Sequence, residues 1–223
     1  MLSKAQEKLI RSLHTKKGRR ENGLLLVEGE IPVAEAEKYI EYTFTGNDSF
    51  QFEVLVTTET PQPIAAVARI PEWTLDDIQN QSTVIVLDGV QDPGNVGAII
   101  RLAQGFDASI IAVESADITS SKVVRASAGA LFHVPWISLT RNKAVEYITQ
   151  LERPIYRIEK RPESQALQQV TIESRPLIIL GSEGRGITMD MPGTSLVIEH
   201  NESLESLNVT HAAAIALYSL YTR

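Results

Sequence analysis

Polar residues set among glycines in three separated segments are where this sequence could do chemistry. The first runs Asp88-Gly-Val-Gln-Asp-Pro-Gly-Asn-Val-Gly97 into Ala-Ile-Ile-Arg101. The second is Leu180-Gly-Ser-Glu-Gly-Arg-Gly-Ile187, and the third extends from Ile198 to Ser206-Leu-Asn-Val209. Each follows an apolar run that reads as a strand, and in open parallel sheets ligands bind where loops leave the carboxyl ends of strands. Glycines at 94, 97, 181, 184 and 186 permit positive φ and close backbone approach to a ligand, and serve equally well as plain turn residues. The guanidinium of Arg101 stays protonated, and its fork suits phosphate. Ser206 and Asn208 are types favoured at helix N-caps, a duty compatible with a site. Neither glycine-bearing loop matches a phosphate-binding P-loop or the dinucleotide fingerprint. The histidines at 14, 133, 200 and 211 show no ligand spacing and there is no cysteine, so no metal is expected. From residue types alone the result is a polar site at the strand ends of an α/β protein.

The elements that must position these loops follow from periodicity. Residues 3–13 read as a helix with Ser3 as N-cap and Leu9, Ile10 and Leu13 on one side. Lys16 to Arg20 reads as a basic turn, 24–27 as a short strand, 34–42 as a helix, and 54–56 and 64–67 as strands. Proline and polar residues near position 71 interrupt both periods and predict a linker at 73–80 between units at 1–72 and 81–223. Beyond it the pattern changes. Residues 83–87 form a continuous apolar run, as buried parallel strands do. A helix at 96–106, strand 109–113, helix 141–151, strands 155–158, 177–180 and 196–198, and a terminal helix over 208–221 complete the order. Alternating strands and helices imply a mostly parallel α/β sheet.

Composition bounds the function class. With 223 residues and 43% apolar content, the chain has room for a sizeable core. No run of about 18 apolar residues exists to span a membrane. The start, Met1-Leu2-Ser3-Lys4, lacks the features of a signal peptide, and the absence of cysteine suits a reducing compartment, so a cytoplasmic location is expected. The net charge of -7 argues against general nucleic-acid binding. Yet residues 1–20 hold seven Lys/Arg against one acid, Glu7, a balance of +6, while the rest of the chain carries 14 basic and 27 acidic residues. A basic arm on an acidic body can track phosphates locally, or be a solvated helix face.

The three segments, in this order and spacing, resemble the three motifs of SpoU-type RNA 2′-O-methyltransferases of the SPOUT class, which are TrmH-like. Asp92-Pro-Gly-Asn-Val-Gly-Ala-Ile-Ile-Arg101 with Ala103 resembles the first, Leu180 to Ile187 the second, and Ile198 through Ser206-Leu-Asn-Val-Thr-His-Ala-Ala-Ala214 the third. Lys122 to Pro135 is similar to a further family segment. Lys17 to Gly29 and Thr58 to Val67 resemble the start and end of the family's substrate-binding domain, shorter here than usual between those stretches.

The resemblance implies an α/β catalytic domain with a C-terminal trefoil knot, a small N-terminal α/β substrate-binding domain, and a homodimer. It implies S-adenosylmethionine as cofactor, held in the knotted cleft by Leu180, Gly181, Ile198, Leu207 and Asn208. It implies Asn95, Arg101, Glu183, Ser206 and Asn208 as the catalytic set, and Lys16, Lys17, Arg19, Arg20 and Arg125 as RNA contacts. The activity implied is methyl transfer to a ribose 2′-hydroxyl of structured RNA, ribosomal RNA ahead of transfer RNA. The sequence departs from the family in the third motif. Glu199 and His200 replace a common proline and apolar residue, Glu202 stands for a usual glycine, and Thr210 replaces a common serine. Two other readings stay open. One is a catalytically silent RNA-binding relative, favoured by Glu199 and Glu202 and opposed by Asn95, Arg101 and Glu183. The other is an α/β enzyme for a different nucleotide, opposed by the lack of a P-loop lysine near 94–97.

Overall fold

The computed structural model describes residues 1–221. The carboxyl-terminal part is built on strands β4 (Thr83–Asp88), β5 (Ala108–Val113), β6 (Trp136–Leu139), β7 (Ile155–Ile158), β8 (Gln165–Ala166), β9 (Leu177–Gly181) and β10 (Thr194–Val197). They form one seven-stranded sheet, order β6-β5-β4-β9-β7-β10-β8, with every pairing parallel. The continuous apolar run in β4 has a direct cause. Ile85 and Leu87 face the core beneath helices α6 (Pro93–Gly105), α7 (Ser121–Ala126) and α9 (Val209–Tyr221), whereas Val84 and Val86 face that beneath α5 (Leu75–Asn80) and α8 (Arg141–Gln150). A strand covered on both faces has no polar positions to alternate. Among the described residues no helix is long and apolar enough to cross a membrane.

The amino-terminal part is a three-stranded antiparallel sheet, order β1-β3-β2, from β1 (Leu24–Glu28), β2 (Ile40–Thr45) and β3 (Ile64–Arg69). Around it lie α1 (Lys4–Ser12), α2 (Lys16–Asn22), α3 (Glu30–Glu35) and α4 (Phe52–Leu55). One face, Leu26, Phe44, Ala65 and Val67, packs with Ile10, Leu13 and Leu55. The other, Leu25, Val27, Ala66 and Ala68, joins the same core as α6 and α7. The small sheet is therefore cemented to the larger part by a shared apolar layer.

Several local expectations change here. The basic turn at 16–20 is helix α2, because Thr15 caps Gly18 N at 3.0 Å and Gly23, at φ 65°, closes its far end. The helix expected over 34–42 stops at Glu35. Ile40–Thr45 instead pairs with β3, its Tyr42 and Phe44 turned inward and Glu41 and Thr43 outward. Residues 54–56, expected as strand, fall largely in α4. The linker expected at 73–80 is mostly α5. It is closed by a reciprocal Thr74–Asp77 capping box and anchored through buried Ile78, whose carbonyl accepts a 3.0 Å bond from Ser109 Oγ.

Candidate active site

The first loop is short because α6 starts almost at the end of β4. Asp92 accepts a 2.8 Å bond from Asn95 N, and Pro93 opens the helix, where its missing N–H costs nothing. This holds the Asn95 side chain on the first turn of α6. Beneath it, Asp88 is buried at the last position of β4. Its carboxylate accepts bonds from Arg141 Nη1 at 2.6 Å, Thr188 N at 2.5 Å and Met189 N at 2.7 Å. One carboxylate thus ties the far side of the second loop to the end of the central strand.

Asn95 is the junction of the three loops. Its amide nitrogen donates to Glu183 Oε1. Its carbonyl oxygen accepts from Asn208 Nδ2 at 3.2 Å and from Thr210 Oγ1 at 3.1 Å. Asn208 Oδ1 in turn accepts from Thr210 N at 2.9 Å and caps α9. These bonds fix which way the Asn95 amide faces. The hydroxyl of Thr210, at a position where the resemblance leads one to expect serine, performs the bonding a serine would.

Beside this junction lies a cleft of about 360 Å³ lined by Leu180, Gly181, Glu183, Ser206 and Leu207, together with Arg185. A smaller space of about 130 Å³, lined by Ile198 and His200, shares Ser206, Leu207 and Ala212 with it. A Cβ on Gly181 would meet Gly186 C at 2.1 Å and Ile187 N at 2.3 Å, so the second loop folds back on the end of β9 with room for hydrogen only. Gly97 has a different duty: its Cβ would lie 2.5 Å from Ala126 Cβ, where α6 crosses α7. Of the glycines at 94, 97, 181, 184 and 186 only Gly186 takes positive φ, 65°, while Gly89 at the start of the first loop takes 73°. In the third loop His200 sits with Nδ1 2.7 Å from Ile198 O and Nε2 3.2 Å from Leu204 O, and so pinches the loop closed.

The structure thus brings Asn95, Glu183 and Asn208 into contact, and Leu180, Gly181, Glu183, Ile198, Ser206 and Leu207 around adjoining spaces. Ser206 is exposed, and its hydroxyl has no partner among the described residues. Arg101 stands apart. It is exposed on α6, does not line the cleft, and makes no hydrogen bond or ion pair among the described residues. Residue typing missed Glu159, Lys160 and Arg161, which line the cleft just beyond β7. The strand-end rule that pointed to the other loops applies equally there. Burial raises the Glu159 carboxyl, but bonds from Arg157 Nε and Ser195 Oγ, both 2.7 Å, and the charges of Arg157 and Arg161 outweigh it and hold it below the usual range.

The five expected RNA contacts divide. Lys16, Lys17 and Arg20 are exposed, with Lys17 3.7 Å from Glu21. Arg19 is buried and committed to Asp117 at 2.5 Å and Leu13 O at 2.7 Å. Arg125 donates to Glu28 at 2.5 Å and Thr57 Oγ1 at 2.9 Å. These two guanidiniums join the amino-terminal sheet to the larger part and are spent on that.

Residues 82–218 match the SpoU rRNA Methylase family. The chain is 30% identical to the 23S rRNA (guanosine(2553)-2′-O)-methyltransferase RlmP of Bacillus subtilis, over 94% of this chain and 93% of that protein. A solved TrmH-family structure from Porphyromonas gingivalis superposes with a TM-score of 0.84 at 32% identity, covering 100% of this chain and 99% of its own. An AdoMet-bound rRNA methyltransferase from Sinorhizobium meliloti superposes at 0.86 over 98% of this chain and 95% of its own, at 23% identity, a level that speaks to the fold.

Proposed function

Because the chain belongs to the SpoU rRNA methylase family, we propose that it transfers a methyl group from S-adenosylmethionine to a ribose 2′-hydroxyl of ribosomal RNA in the cytoplasm. The observation that carries this reading is the Asn95 junction, which gathers family-type polar residues from three loops at the mouth of one cleft. The cleft suits the cofactor on its own terms. Leu180, Ile187 and Leu207 offer apolar surface for a purine, the tight turn at Gly181 exposes backbone groups, and Glu183 supplies negative charge for a sulfonium. Its volume falls within the range of small-molecule sites, about 300–1,000 Å³.

When bound, S-adenosylmethionine supplies an electrophilic methyl carbon, so alignment and exclusion of water are what the protein must add. Asn95, itself oriented by Asn208, holds Glu183 in one orientation. Ser206 presents a free hydroxyl to the ligand. Bound there, the cofactor would supply its methyl group to the ribose oxygen, whose proton would leave to a neighbouring phosphate oxygen or water. Arg101 grips the phosphate beside the target ribose and stabilises charge developing on the oxygen, a role that suits a permanently protonated fork. We propose a homodimer as the functional unit. The apolar surface that α9 leaves exposed through Ile215, Tyr218 and Tyr221, next to α6, supports it. In this reading Arg101, which does not line its own chain's cleft, serves the partner's; sedimentation equilibrium giving a single-chain mass would remove this step. The trefoil knot belongs to the same reading. It is supported by the insertion of β9 between β4 and β7 and the return of α9 to α6 and β9.

The test is to map ribose methylation in cellular RNA with and without the gene, restoring it with wild type or Arg101→Ala. One ribosomal position should lose its methyl group, regain it with wild type, and stay bare with the variant. Unchanged ribosomal RNA, with loss at a transfer RNA position or nowhere, would replace the substrate or the activity respectively.

A further inference from the structure

The amino-terminal sheet carries a surface that the chemistry at the strand ends does not use. Phe50 is 100% exposed, and Val54, four residues on within α4, is 64% exposed. A single exposed apolar side chain is ordinary on a protein surface, but this pair sits on a rigid support beside the basic part of the molecule. The turn before it is fastened at each step. Asp48 Oδ2 accepts from Thr45 N at 3.0 Å and Thr45 Oγ1 at 2.9 Å, and Ser49 Oγ accepts from Gln51 N at 3.0 Å. Helix α1 borders the turn directly. Ser49 Oγ donates to Glu7 at 2.6 Å, and Arg11 donates to Gln51, the neighbour of Phe50. Lys4, Lys8 and Arg11 recur at the helical spacing that puts them on one stripe of α1, all exposed. The neutral amide of Gln51 leaves the Arg11 charge uncompensated. On a body whose remaining residues are strongly acidic, this stripe, with exposed Lys16, Lys17 and Arg20 of α2, is where a polyanion meets attraction.

We propose that Phe50 is a stacking platform for an unpaired base of the RNA substrate, with Lys4, Lys8 and Arg11 tracking the phosphates beside it. The proposal rests on the reading of the chain as an RNA-modifying enzyme and adds what that RNA must offer: a loop or bulge with a splayed base. Aromatic platforms next to cationic grooves bind single-stranded segments because every base has a π-face, and each stacked base is worth about 1–3 kcal/mol. The pinned turn fixes the backbone that carries the ring.

The experiment measures methylation of protein-free 23S rRNA by the full chain, alongside direct RNA binding. Phe50→Ala should raise KM for RNA at least about five-fold, the effect of losing roughly 1 kcal/mol of stacking, with kcat and the Kd for S-adenosylmethionine unmoved. Phe50→Tyr should restore KM, and Lys4→Glu with Lys8→Glu should raise it further and flatten its salt dependence. A Phe50→Trp variant should gain emission that poly(A) quenches beyond the background of Trp73 and Trp136; this readout does not depend on methylation. If the wild-type enzyme methylates nothing while the quenching appears, the functional reading fails and the platform stands. If Phe50→Ala leaves KM for naked RNA unchanged, or the added emission of Phe50→Trp does not respond, the platform is overturned. A Phe50→Ala defect seen only on assembled ribosomal subunits would assign the patch to a protein contact instead.

Discussion

At the scale of single residues, the site depends on one amide. Asn95 has no surplus bonding capacity on its carbonyl side, since Asn208 and Thr210 occupy both lone pairs, and its nitrogen is engaged by Glu183. Asn95→Ala would release Glu183 and the start of α9 together. A displacement of about 1 Å at a reacting centre can cost about 10²-fold, so kcat should fall by about that factor in single-turnover methylation. S-adenosylmethionine binding, which relies on the cleft walls, should change far less. Loss of cofactor affinity without loss of kcat would assign Asn95 to binding. Arg101 poses the opposite question, because it makes no hydrogen bond or ion pair among the described residues. If it holds phosphate as a permanent cation, Arg101→Lys should keep a weakened activity with an unaltered pH–rate profile. An active lysine variant whose profile shifts toward an amine pKa would make the residue a base.

At the scale of elements, the loops do chemistry because their strands end together. β4 and β9 pair in register up to Asp88 and Gly181, which brings the first and second loops out side by side. The contact of the Gly181 turn with Gly186 and Ile187 admits no side chain. Gly181→Ala should therefore push the second loop outward. The overpacking cost is about 1–3 kcal/mol, and calorimetry should show S-adenosylmethionine binding weakened at least about ten-fold while α9 and the sheet persist by circular dichroism. Unaltered affinity would mean the turn does not shape the cofactor site. β4 and β9 were legible in the sequence because burial on both faces writes an unbroken apolar run, whereas β10, expected over 196–198, runs Thr194–Val197 and is only half-buried, so its first two positions carry no apolar signal. The amino-terminal elements were less so. β2 shows only a half-alternating pattern that its pairing with β3 decides, and α2 is too polar to display a helical stripe. The site residues were legible through family resemblance, whereas Glu159 and Asp88 owe their places to strand ends that only the assembled sheet brings together.

At the scale of the whole molecule, two ion pairs, each with one buried and one half-buried partner, join the small sheet to the large one. Arg19 meets Asp117, and Arg125 meets Glu28, each across nearly a hundred positions of chain. A charge in sequence does not declare its partner, which is why both arginines read as surface RNA contacts. Burial pushes the Asp117 carboxyl up, but hydrogen bonds from Arg19 and Thr119 outweigh it and hold it below its ordinary value. A carboxyl lowered by folding contributes stability above its unfolded pKa, near 3.9, and loses it as pH falls through the lower folded value. Asp117→Asn should thus cost about 3 kcal/mol at neutral pH by stranding Arg19. The gap from wild type, followed by thermal unfolding, should narrow steadily as pH falls below the unfolded carboxyl's pKa. A gap that does not narrow with falling pH would place its source outside the ion pair. With Phe50 as the proposed platform, these two clasps and the apolar layer between the sheets tie the part that carries that ring to the part that carries the methyl-transfer cleft. The enzyme then behaves as a caliper set to one opening: it modifies the ribose that lies one fixed span from a flipped-out nucleotide, and RNAs in which that span is lengthened or shortened go unmarked however well either end fits.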